Sequence, residues 1–111
     1  MSPTDIAQGQ LDAYNRQDLD GYCAFFAGDV VVADLNGAES VHGLADYRAR
    51  YAKTFADFPE NRAEVVGRIA LGDTVIDHER VARKPGGDTF DVAAIYTIRG
   101  GKIARVDFVK G

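Results

Sequence analysis

"LGDTVIDHERVARKPGGDTFDVAAIYTIRGGKIARVDFVK", residues 71 to 110, alternates runs rich in β-branched and aromatic residues with short stretches of turn chemistry. The runs Thr74–Arg83, Thr89–Arg99 and Lys102–Lys110 read as strands. Gly72-Asp73, Lys84-Pro85-Gly86-Gly87-Asp88 and Gly100-Gly101 read as the turns between them. A fourth run, "RAEVVGRIAL" at 62–71, precedes them. Strands joined this closely pair antiparallel, so the C-terminal half is expected to be a meander.

Upstream the period changes. "LADYRARYAKTFADFP" (44–59) places Tyr47, Tyr51, Phe55 and Phe58 three or four residues apart, which is helical spacing, and Pro59 forbids continuation. Before it, "DVVVADLNGAESVHG" (29–43) is β-branched and carries Asn36-Gly37, a strong hairpin signal. At the N-terminus, Ser2-Pro3-Thr4-Asp5 supplies a helix cap, a proline at the first helical position and an acid three residues after the cap. Ile6, Leu11 and Tyr14 then share an apolar side. Asp18 starts a second, short helix with Leu19, Tyr22, Cys23 and Phe26 at helical spacing, and Gly28 supplies a stop. Helices first and an antiparallel meander last is an α+β pattern, with helices covering one face of the sheet.

Composition narrows the function classes. The chain has 111 residues, enough for one domain spanning 1–111, with 46% apolar and 27% charged residues. A net charge of −4, with 13 scattered Lys and Arg, argues against a nucleic-acid partner. The N-terminus lacks a basic start and apolar run, and no segment is long enough for a membrane span, so a cytoplasmic protein without a membrane partner is expected. Cys23 has no partner for a disulfide, and no Cys/His spacing matches a metal site; neither metal nor cofactor is expected.

The order and spacing of Asn15, Asp18-Leu19-Asp20, Phe26, Asp29, Asp34, Gly43, Tyr47-Arg48, Gly72-Asp73 and Gly101-Lys102-Ile103 resemble the NTF2-like superfamily, in its ketosteroid isomerase and SnoaL-like branch. The resemblance spans nearly the whole chain. It implies a cone: N-terminal helices packed on the concave face of a strongly curved, mostly antiparallel sheet, with a pocket between them and a homodimer formed through the sheet.

Within that frame, strand alternation puts Ile76, His78 and Arg80 on one face and Val75, Asp77, Glu79 and Val81 on the other. Both sets contain apolar residues. Alignment of Gly72-Asp73 with the family's turn places the first set inward, so His78 and Arg80 are expected in the pocket, and Asp77 and Glu79 outside. Ala94, Tyr96, Val106 and Phe108 are expected inward on the following strands. The resemblance makes Asp34 the general base and leaves His78 as its acid–base partner. Gln10 and Ala94 stand where steroid isomerases carry their oxyanion-hole tyrosine and aspartic acid, so efficient steroid isomerisation is not expected. Gln10, Tyr14 and Tyr51 remain candidate polar contacts to a ligand.

The function that follows is a small cofactor-independent isomerase, cyclase or hydratase acting by proton transfer on an apolar, carbonyl-bearing small molecule. The alternative is a non-catalytic protein of the same fold that binds a small ligand or serves as a dimeric scaffold.

Overall fold

The computed structural model describes residues 1–111. Three helices precede or interrupt the first strands: α1 (Pro3–Asn15), α2 (Leu19–Cys23) and α3 (Leu44–Asp57). Six strands follow the order β1 (Phe26–Asp34), β2 (Glu39–His42), β3 (Arg62–Leu71), β4 (Thr74–Ala82), β5 (Thr89–Arg99) and β6 (Lys102–Lys110). They form one sheet in the spatial order β2-β1-β6-β5-β4-β3. Every neighbouring pair is antiparallel except β1 with β6, which is parallel. Irregularities at Val65/Gly67 in β3, Thr97/Ile98 in β5 and Val32/Ala33 in β1 increase local twist and bend the strands, and the sheet curls around the helices.

The N-terminal signal holds in detail. Ser2 caps α1, its hydroxyl accepting from the Asp5 backbone while the Asp5 carboxylate accepts from the Ser2 backbone, a reciprocal capping box. Asp18 caps α2 by accepting from the Gly21 backbone. That helix ends at Cys23, with Ala24 as its cap, so the expected stop at Gly28 is corrected. Phe26 and Gly28 already belong to β1. Apolar spacing carries the helical pattern as far as Phe26, but pairing of Phe26 with Ile103 on β6 takes that residue into the sheet.

The β1–β2 connection is longer than a two-residue hairpin. Leu35 to Ala38 intervene, with Asn36 in the left-handed region at φ 57° and the Gly37 backbone donating to the Asp34 carbonyl. Asn15, at the end of α1, clamps the start of β3: its side chain donates to the Ala63 carbonyl and accepts from the Ala63 amide. Gly9 on α1 is a close-approach glycine, because a Cβ there would lie 2.5 Å from the Phe25 ring. Ile6, Ala7, Val30, Val75, Ala94, Ile103 and Val106 are buried between helices and sheet and form the centre of the core. No helix is long and apolar enough to cross a membrane.

The two faces of β4 are the reverse of the sequence expectation. Val75, Asp77, Glu79 and Val81 are buried, whereas His78 and Arg80 are exposed on the outer face. The cause is the apolar frame of the odd-numbered set. Val75 and Val81 close against the core at both ends of the strand, and the two acids between them follow. The outer face, where the resemblance implies a second copy, presents Ile69 and Leu71 to solvent.

Candidate functional site

A cavity of about 340 Å³ opens between the inner sheet face and α1, α2 and α3. Its size is that of a small-ligand pocket. Its interior is aromatic, because all five tyrosines of the chain, Tyr14, Tyr22, Tyr47, Tyr51 and Tyr96, line it. The helical spacing of α3 brings Tyr47 and Tyr51 to one side, their ring centroids 4.7 Å apart. Tyr22 on α2 stacks on Tyr47, and the two hydroxyls share a hydrogen bond of 2.6 Å. Phe108 on β6 completes the apolar wall, while Arg50, Arg83, Phe90 and Lys110 stand where the cavity meets solvent.

One carboxylate lines this cavity, and it is Glu79. The Gln10 side-chain amide donates to the Ala7 carbonyl and, at 3.1 Å, to the Tyr96 hydroxyl oxygen. Tyr96 in turn donates to Glu79 Oε2 at 3.0 Å. This relay runs from α1 through β5 to β4 and fixes the carboxyl at the sheet. Burial pushes the Glu79 carboxyl up to about 7; the Tyr96 hydrogen bond opposes the rise and the charge of Asp77 reinforces it. Burial and the neighbouring Tyr51 push the Tyr14 hydroxyl up to about 12, so it is a hydrogen-bond donor at neutral pH.

Asp77, one inward position along β4, is fully buried and does a different job. Arg68 on β3 grips it with Nε at 2.7 Å and Nη2 at 3.0 Å, and also donates from Nη1 to the Gln8 side chain on α1. This fork-shaped pair neutralises the second acid beside Glu79 and ties α1 to the sheet edge.

The sequence-derived candidates divide accordingly. Gln10, Tyr14, Tyr51, Tyr96 and Phe108 line the cavity. Ala94 and Val106 face inward as expected but lie packed in the core rather than on the cavity wall. Asp34 is corrected: it opens the β1–β2 turn, is exposed and does not reach the cavity. His78 and Arg80 are corrected as well. Both lie outside, gathered on Asp91 of β5, with His78 Nε2 2.7 Å and Arg80 Nε 3.0 Å from its carboxylate. Asp34 and His78 therefore do not converge in the pocket.

Glu79 was placed outside when alignment of Gly72-Asp73 with the family's turn chose the inner face, and a signal for its true position was present. A two-residue turn at Gly72-Asp73 pairs Leu71 with Thr74, which puts Arg68 opposite Asp77. A cross-strand Arg–Asp pair can be buried at little net cost, and burying Asp77 turns Glu79 inward too. No group of three or more His, Cys, Asp or Glu side chains stands close enough to hold a metal ion.

Comparison with known proteins fits this geometry. Residues 7–106 match the family model of the SnoaL-like domain. A cystatin-fold protein from Novosphingobium aromaticivorans is 32% identical, with 99% of each chain covered and a TM-score of 0.91. A proposed polyketide cyclase from Sinorhizobium meliloti is 26% identical over 98% of this chain and 100% of its own, with a TM-score of 0.79. An NTF2-like protein from Cytophaga hutchinsonii, 14% identical, shares the fold at a TM-score of 0.82 over 100% of this chain and 91% of its own. No curated protein matches.

Proposed function

Since the chain belongs to the SnoaL-like domain family, we propose that it is a cofactor-independent enzyme of the isomerase, cyclase or hydratase type that moves a proton on an apolar, carbonyl-bearing small molecule, with Glu79 as the acid–base group. The observation that carries this reading is Glu79 itself: a carboxyl in an aromatic cavity, held by Tyr96, with its pKa raised to about 7. A carboxyl poised there is present in both forms at neutral pH, which is what a group that takes a proton and returns it requires. The similarity to a proposed polyketide cyclase is in keeping with a carbonyl-bearing substrate.

In this mechanism the apolar body of the substrate lies among the tyrosines and its acidic C–H faces Glu79. The carboxylate takes the proton from the carbon next to the carbonyl, the electron pair of that C–H bond forms a carbon–carbon double bond, and the π pair of the carbonyl passes to its oxygen. Tyr14, neutral and on the cavity wall, donates a hydrogen bond to the developing negative oxygen. Glu79, now protonated, delivers the proton to another carbon or oxygen and is restored. Tyr96 and Gln10 hold the carboxyl in one orientation throughout.

Deuterium incorporation next to the carbonyl of aryl ketones in heavy water, followed by NMR, tests this without the natural substrate. The protein should accelerate exchange, and Glu79→Gln should lower the rate by about a hundredfold or more, the scale of acid–base contributions. His78→Ala and Asp34→Asn, outside the cavity, should leave it unchanged. Equal exchange by Glu79→Gln and the parent protein would refute the assignment.

A further inference from the structure

The mouth of the cavity carries more positive charge than an uncharged ligand needs. More than half of the 13 Lys and Arg are tied to carboxylates, yet Arg50, Arg83 and Lys110 form no ion pair, and all three line this one cavity. They come from three separate elements: Arg50 from α3, Arg83 from just beyond β4, and Lys110 from the end of β6. The chain as a whole is acidic, at −4, so this convergence runs against its average charge.

Two of the three are held in place without a countercharge. Arg83 donates from Nη1 to the Asn61 side chain, and its guanidinium lies 4.7 Å from the Phe58 ring centroid and 5.0 Å from that of Phe90. Arg50 donates to the Ser40 hydroxyl and lies 5.9 Å from the Tyr51 ring centroid. A guanidinium stacked on aromatic rings keeps its remaining N–H groups in a fixed plane, the arrangement that suits a planar carboxylate. Glu79 is the sole negative lining group, and it stands deeper, among buried tyrosines.

We infer that the ligand of this cavity is an apolar keto acid, bound with its carboxylate at the mouth against Arg50, Arg83 and Lys110 and its carbonyl-bearing body among the tyrosines. The carbonyl end of this inference rests on the proton-transfer reading; the anionic end stands on the three cations alone. The arrangement also keeps the ligand's own charge away from Glu79.

Calorimetric binding of benzoylpropionate, compared with its uncharged amide, tests the inference. At neutral pH and low salt the acid should bind about tenfold or more tighter than the amide, and the difference should shrink as salt screens the charges. Lys110→Gln and Arg50→Gln should each weaken the acid about three- to tenfold while leaving the amide unchanged. Both side chains are exposed, so these variants remain readable if Arg83→Gln, which also loses its contact to Asn61, fails to fold. Equal affinity for acid and amide, or tighter binding of the amide, would overturn the inference. The outcome is separable from the chemistry: Glu79→Gln should slow exchange by about a hundredfold or more yet retain the preference for the acid. Retained preference without any exchange in the parent protein would sink the proton-transfer reading and keep the anion site.

Discussion

Glu79 costs the protein stability at neutral pH and above. Its folded-state pKa of about 7 lies above the ordinary value of 4.5, so the fold favours the protonated form. The resulting stabilisation is fully present below about pH 4.5 and is lost as pH rises through about 7. Above that, the native state holds a charged carboxylate in an aromatic cavity, a penalty of roughly 3 kcal/mol for a shift of this size. Glu79→Gln keeps an acceptor for the Tyr96 hydroxyl and removes the charge. Thermal unfolding should therefore show the variant more stable than the parent near pH 8 and indistinguishable from it near pH 4, whereas a constant difference across that range would place the titration elsewhere. A buried acid with a raised pKa, sitting in a cavity, is a candidate for acid–base chemistry.

Within the elements, the buried acid beside it behaves differently. Asp77 is fully enclosed, but the Arg68 fork and the Gln8 contact make it the join between the β3–β4 hairpin and α1. Removing one partner strands the other, so Asp77→Asn should cost about 3 to 5 kcal/mol in urea unfolding. Replacing both, as Asp77→Leu with Arg68→Met, should cost much less. Equal losses in the single and double variants would show that the pair is not acting as a unit.

The elements themselves were legible in the sequence, for local reasons. The Ser2-Pro3-Thr4-Asp5 cap, the aromatic spacing of α3 before Pro59, and the glycine-rich turns each specify backbone geometry within a few residues. The face of β4 was not legible by alternation, since Ile76 and Val75 offer apolar residues to both sides. Strand periodicity says which residues share a face but not which face is wet. The Arg68–Asp77 pair lets the two acids follow Val75 and Val81 into the core, and that is a contact between strands rather than a property of either. Gln10 was placed by family position, Tyr14 by lying one helical turn beyond it, and Tyr51 by helix spacing and family position together. His78 and Arg80 were misplaced together because they share one face.

Across the whole molecule, the cavity depends on the curl of the sheet. The bent strands carry β4, β5 and β6 around α1 and α3, so that a single pocket receives Gln10 and Tyr14 from α1, Tyr51 from α3, Glu79 and Tyr96 from the sheet, and the three cations at the rim. The parallel pairing of β1 with β6 is what brings the N-terminal strand back beside the C-terminal one. That enclosure is what pushes the Glu79 carboxyl up; on an open sheet the same residue would be hydrated and acidic. The outer face, by contrast, gathers His78, Arg80 and Asp91 into an exposed charge cluster that takes no part in the cavity.

The most direct test of the account is therefore the titration of Glu79 in the intact protein. With carboxyl carbons labelled and the Glu79 resonance assigned through Glu79→Gln, carbon NMR across pH should show this one glutamate titrating with a midpoint near 7. A midpoint near the ordinary 4.5 would mean that Glu79 is hydrated and not in the cavity as described, and the proposed chemistry would lose its acid–base group.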